Sequence, residues 1–175
     1  MPEWIPTQSS AKGRLVLTAL TQFSETGYND VGVSDLSTAA GVTTGSLYHH
    51  FGSKLALYDL VRTDVERRVL DRLQGAVAAR AADGPGEAAH AALLVAFDFL
   101  VDQGFARLIA APHPDRPGDP IERYIASVAD QQGVPIGSVL VAAWRAMLRA
   151  VVDDIRADRA RAALVALCIK KPNVR

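Results

Sequence analysis

The chain has 175 residues, 49% of them apolar, enough for one domain or two small ones with a real core. Its 19 Lys and Arg offset its 19 Asp and Glu, so net charge supplies no general attraction to nucleic acid. A single cysteine, Cys168, excludes an intrachain disulfide framework and a cysteine-rich metal site, and reads as a small apolar helix residue rather than a redox sensor. Residues 1–9 hold two prolines and no apolar signal region, which predicts a loose arm. No apolar run approaches the roughly 18 residues of a membrane span, so the expectation is a cytoplasmic protein with no membrane partner.

A first helix is predicted from Ser10 to Thr26, where Leu15, Ala19 and Phe23 form an apolar stripe and Gly27 stops it. Lys12 and Arg14 sit near its start, as phosphate contacts or as ordinary surface charges. From Val33 to Lys54 the pattern is two short helices around a tight turn. Val33, Leu36 and Ala40 share a face, Gly41 ends the first helix, and Thr43 can cap the second by accepting from the Ser46 N–H. On the second helix Leu47 and Phe51 face inward, leaving Thr44, Gly45 and Tyr48 outside. That is the layout of a helix-turn-helix, which places a helix N-terminus in a DNA major groove.

Ser53 opens a long helix to about Ala82, with Leu57, Val61, Val65, Val69 and Leu73 repeating every four residues. Its other face, Arg62-x-Asp64-x-Glu66-Arg67-Arg68, reads as solvated charge. Asp83-Gly84-Pro85-Gly86 breaks it. A helix over about Glu87–Gln103 carries His90, Leu94, Phe97 and Val101 on one stripe, and Gly104 separates it from Phe105–Ile109. Pro112 to Pro120 holds four prolines and must be a loop. Asp119 and Glu122 form a capping box that opens a helix at Pro120, running to about Gln132. The last two helices are read as Ile136–Ala157 and Arg159–Lys170, with Asp158 as the cap between them. The class is all-α, with no strand pattern.

The run AAGVTTGSLYHHFGSK, preceded by Phe23-x3-Gly27-Tyr28, resembles the signature of the TetR family of bacterial transcriptional regulators over roughly residues 10 to 62. Two positions depart from it. Val31-Gly32 stands where relatives commonly carry Thr-Ser or Thr-Thr, and Ser37 stands where they carry alanine. The resemblance implies a three-helix DNA-binding head, residues 1–52, followed by a helical ligand-binding and dimerisation domain, residues 53–175, with helix 53–82 connecting. It implies DNA contacts from Thr43, Thr44, Gly45, Tyr48, His49, His50 and Lys54. Of these, Tyr48, His50 and Lys54 match positions that touch phosphate. It also implies a homodimer built on the last two helices, for which Leu140, Trp144, Leu148, Val151, Ile155, Leu164 and Leu167 are the candidates. On that reading, aspartate at Leu148 and Val151 should give monomers.

An effector pocket would lie within the C-terminal helices, and its candidates are His90, Phe97, Phe105, Arg107, His113, Trp144 and Met147. Each has a plain alternative: aromatics and Met at helical spacing are core residues more often than ligand contacts, and His90 reads equally well as a satisfied core histidine. The four histidines lack metal-site spacing, and no phosphate loop, nucleophile elbow or carboxylate pair is recognisable. No cofactor, no metal and no enzyme activity are therefore expected. The expected function is a ligand-responsive repressor that binds a double-stranded, pseudo-palindromic operator as a homodimer and is released by a small apolar or amphipathic effector. The rival is a helical dimeric interaction protein with a degenerate, non-DNA-binding helix-turn-helix. It draws on charge: residues 1–60 set three cations, Lys12, Arg14 and Lys54, against five carboxylates.

Overall fold

The computed structural model describes residues 10–113, 115–130 and 133–167. The helices along them are α1 Ala11–Glu25, α2 Val33–Ala39, α3 Thr44–Phe51, α4 Lys54–Ala79, α5 Pro85–Asp102, α6 Ala106–Ala110, α7 Pro120–Ala129, α8 Ile136–Val152 and α9 Ala157–Ala166, with no strand among the described residues. The chain divides into two compact units, Met1–Val65 and Glu66–Arg175, so α4 contributes residues to both. The readings made for the arm of residues 1–9, for Gln132, and for Cys168, Ile169 and Lys170 lie outside the described residues.

In the first unit α1, α2 and α3 pack against one another. Ser10 caps α1 by accepting from Gly13 N at 2.9 Å, and the Leu15–Ala19–Phe23 stripe is fully buried. Ser37 is buried too, and its hydroxyl donates to Val33 O at 2.9 Å, which satisfies a polar group that alanine would not bring there. Gly32 stands at the N-cap of α2 with no side-chain bond, as the Val31-Gly32 departure requires. Behind these helices the rings of Phe23, Tyr28 and Tyr58 form a cluster with centroids 4.8 to 6.1 Å apart.

The second unit is arranged around α8, which packs on α5, α6, α7 and α9. Trp144, Leu148, Leu140 and Val141 of α8 are buried, as are Phe97 and Leu100 of α5, Ile109 of α6 and Ile125 of α7. Helices α7 and α8 approach so closely that a Cβ on Gly137 would sit 2.5 Å from the Ala126 Cα, inside any van der Waals distance.

Several boundaries differ from expectation for local reasons. Helix α5 begins at Pro85, because proline at a first helical position gives up an N–H that has no partner there anyway. Helix α8 ends at Val152 rather than Ala157. There Asp154 takes a positive φ of 69°, and Ile155 N donates back to Ala150 O at 2.8 Å, closing the last turn. Asp158 is consequently not a cap. It lies inside the first turn of α9, where a hydrogen bond from Arg156 holds its carboxyl below the usual carboxylate range.

The charged face read on α4 is also corrected, because Arg62 and Glu66 are buried. Arg62 Nη1 donates to Tyr58 Oη at 3.0 Å within the first unit. In the second, Glu66 accepts from Arg116 of the proline-rich loop. A further buried pair joins Arg145 of α8 to Asp119 at 2.5 Å.

Candidate nucleic-acid interface

The turn between α2 and α3 depends on Gly41, whose φ of 64° costs a side-chain-bearing residue about 1–2 kcal/mol. Val42 N donates to Ser37 O at 2.9 Å and closes the turn. Thr43, extended at φ −84°, then accepts from Ser46 N at 3.2 Å and starts α3. One buried residue, Leu47, anchors the helix inward, with Phe51 half-buried beside it. Thr43, Thr44, Gly45, Tyr48, His49 and His50 are all exposed, Tyr48 by 53%. These six candidates therefore share one short solvent-facing helix and its cap. Its first turn offers unpaired backbone N–H groups, two threonine hydroxyls and a glycine that lets backbone approach a surface.

Lys54 belongs elsewhere. Its ammonium donates to Tyr28 O at 2.9 Å and Val31 O at 3.0 Å and stands 4.2 Å from the Tyr28 ring centroid. Two of its three N–H bonds thus clamp the α1–α2 connection to the start of α4. Arg14 does the same on the other side, Nε donating to Ala40 O at 2.9 Å at the end of α2. These two cations fix the elements on either side of α3. Lys12 is exposed, 6.0 Å from the Phe51 ring centroid. Lys54→Ala should therefore cost the head about 2 kcal/mol of stability, since bonds from a charged donor contribute on the order of 1.5–3 kcal/mol. Chemical denaturation of the full chain measures this. An unchanged midpoint would return Lys54 to the surface.

The effector candidates do not converge. His90 Nε2 carries its proton toward Leu164 O at 2.7 Å and ties α5 to α9. Phe97 and Trp144 are core, Arg107 is exposed, and Phe105 and Met147 are half-buried on different helices. His113 Nδ1 accepts from Asp115 N and Arg116 N and holds the proline-rich loop in shape.

Of the interface candidates, Leu140, Trp144, Leu148 and Leu164 are buried within the chain's own second unit, so none is available to a partner without opening it. Val151 is half-buried, and Ile155 and Leu167 are exposed. Exposed large apolar residues of this unit include Val95, Val134, Val139, Ile155, Val165 and Leu167. Val134, Val139 and Leu167 border an apolar groove of about 310 Å³ floored by Leu140 and Ala143. Burial on one helical face and exposure on the next are not separable from the apolar pattern alone, and this is where the stripe misled.

Residues 15–61 match the family model for bacterial regulatory proteins of the tetR family. Over 68 residues the chain is 40% identical to the HTH-type transcriptional repressor KstR2 of Rhodococcus jostii, covering 39% of this chain and 31% of that protein. It is 34% identical over 91 residues to the HTH-type transcriptional activator FasR of Mycolicibacterium smegmatis, covering 51% of this chain and 40% of that one. The chain thus spans about a third of the length of these curated relatives. A tetR family transcription regulator from Shewanella sp. PV-4 superposes with a TM-score of 0.65 at 23% identity, over 90% of this chain and 95% of that one. A gamma-butyrolactone receptor superposes at 0.56 with 22% identity, over 91% and 86% of the two chains. At those identities the superpositions speak for the fold alone.

Proposed function

From the tetR-family match of residues 15–61 we propose that this chain is a DNA-binding repressor of the TetR type that acts as a homodimer and responds to a small molecule. The observation that carries the reading is α3: a short helix, capped by Thr43 and set by the Gly41 turn, whose exposed leading end presents Thr44, Gly45 and Tyr48. Thr44 can bond a base edge or lay its methyl against thymine, while N–H groups at the helix start take phosphate. We assign the DNA-binding role to residues 1–52 and effector and partner binding to residues 53–175. We assign the dimer contact to the exposed apolar residues Val134, Val139 and Leu167, which border one groove, because an exposed apolar patch marks an association surface. The groove bordered by Val139 and Leu167 favours an apolar or amphipathic molecule wherever α8 and α9 admit one.

A two-fold dimer carrying two copies of α3 should protect an inverted repeat, its half-sites about one helical turn (roughly 10 bp) or a small multiple apart. Selection of duplexes from the source genome followed by footprinting tests this. Protection of one unrepeated half-site, or no enrichment at all, would remove the reading and favour the interaction-protein alternative.

A further inference from the structure

Directional contacts fasten α4 at two places in the second unit. The carboxylate of Glu66, 3% exposed, takes an ion pair and a hydrogen bond from Arg116 of the proline-rich loop. About 9 Å farther along the helix, the Arg72 guanidinium lies 3.6 Å from the Phe99 ring centroid on α5. The buried Val69 and Leu73 also hold α4, but apolar attraction has no direction of its own. Two fixed points set the direction of a rod, and loss of either lets it turn about the other. Helix α4 is unbroken from Lys54 to Ala79, and Lys54 grips the α1–α2 connection of the head. We propose that the Glu66–Arg116 pair is a latch: closed, it fixes the direction of α4 and with it the spacing of the two DNA-reading helices in the dimer, and open, it gives that spacing up. The inference rests on the reading of this chain as a dimeric DNA-binding regulator.

The loop is built to hold such a latch. Arg116 N and Asp115 N both donate to His113 Nδ1, at 2.9 and 3.2 Å, which sets the backbone from which the Arg116 side chain reaches. Pro117 follows, its ring fixing φ. Asp119 then anchors the loop twice, capping α7 and pairing with Arg145 of α8 at 2.5 Å. The span from Arg116 to Asp119 thus joins a grip on α4 to a grip on α8, the helix on which α5, α6, α7 and α9 pack. A displacement of α8 is passed through this short span to Arg116. The chemistry of the contact fits the same role. Buried opposite charges cost desolvation and contribute less stability than apolar side chains of similar volume, yet one arrangement alone satisfies them. Apolar side chains at these two positions would hold α4 to the loop over a range of placements. The ion pair holds it in one or releases it, as a device with two positions requires.

The consequence for DNA binding is selective. One head reads one half-site without reference to the other, so the latch has no bearing on that contact. Two heads held at one spacing make the second half-site contact intramolecularly, and this advantage depends on the spacing being held. Opening the latch should therefore lower affinity for the whole inverted repeat on the order of tenfold, a usual size for such a coupling, and leave affinity for a single half-site unchanged. Coupling is reciprocal, so occupation of the whole repeat favours the closed latch. Hydrogen exchange at the Asp115 and Arg116 amides, both bonded to His113, should then slow when the repeat is bound and stay as it was when a half-site is bound.

The test uses the full chain, an inverted-repeat duplex recovered by selection from a randomised library, and the same duplex with one half-site scrambled. No enrichment, or enrichment of one unrepeated half-site, removes the dimeric DNA-binding reading and the latch with it. With a repeat in hand, Arg116→Gln should lose about tenfold in affinity for the repeat and nothing for the half-site. Equal losses on both duplexes, or none on either, overturn the latch and leave the DNA-binding reading standing. That variant strands a buried carboxylate, so Glu66→Leu/Arg116→Leu is measured beside it. This pair should melt no lower than the wild type and still show the loss confined to the repeat. Wild-type affinity for the repeat in the leucine pair would mean that the ion pair serves stability alone, and the proposal fails. The wild-type exchange measurement needs no variant, and amides of Asp115 and Arg116 that exchange equally fast with repeat, half-site and no DNA overturn it as well.

Discussion

Leu148→Asp should leave the second unit without a cooperative unfolding transition, whereas Val139→Asp should leave it folded. Leu148 is completely buried at the centre of α8, where removing the leucine alone costs about 2–5 kcal/mol. The carboxylate adds the desolvation of a charge with no partner. The total is comparable to the whole stability of a domain, about 5–15 kcal/mol. Val139 is 65% exposed on the same helix, so a charge there meets water in a single chain and meets the partner's apolar face in a dimer. Far-UV circular dichroism with thermal melting and sedimentation separates the two. The expected pattern is an unfolded Leu148 variant and a folded, monomeric Val139 variant. A folded, monomeric Leu148→Asp protein would mean that Leu148 faces a partner after all.

Asp119→Ala should be the most costly change outside the apolar core. One carboxylate oxygen accepts from Ile121 N at 2.9 Å and Glu122 N at 3.3 Å, capping α7, while the other pairs with the nearly buried Arg145 at 2.5 Å. Losing the cap costs about 1 kcal/mol. Stranding a buried guanidinium costs about 3–5 kcal/mol. The double variant Asp119→Ala/Arg145→Leu removes the stranded charge and should recover most of the second term. Urea unfolding of the wild type, Asp119→Ala, Arg145→Leu and the double variant gives the coupling. If the double variant is no more stable than Asp119→Ala, the pair contributes only through the cap.

The head was legible in the chain because its determinants are local. A glycine at the turn, a threonine three residues before the N–H it accepts from, and Leu47 on the inner face all lie between Gly41 and Leu47. The fates of the charged residues were not legible. Lys54 finds its carbonyls 26 and 23 residues away, and Asp119 meets Arg145 only once α7 and α8 have packed. A charge in a sequence reads as solvated until the fold supplies its partner, as Arg62 and Glu66 show. The apolar stripe of α8 gave the helix correctly and its burial ambiguously. An amphipathic pattern says that a face is covered without saying whether the same chain or a second one covers it. Helix ends failed at Asp154, whose positive φ has no strong sequence signal in an aspartate.

The internal commitment of Arg14 and Lys54 bears on how such a protein would spend its time in a genome. Long residence on arbitrary duplex, and the one-dimensional sliding it permits, come from many simultaneous phosphate contacts. A head with two of its three cations turned inward makes few of these. It would sample DNA by brief three-dimensional visits, with encounter rates nearer the roughly 10⁵–10⁶ M⁻¹s⁻¹ of uncharged partners than the steered limit. Little of the protein would then be sequestered on non-cognate sequence, and a small number of copies could keep one operator occupied.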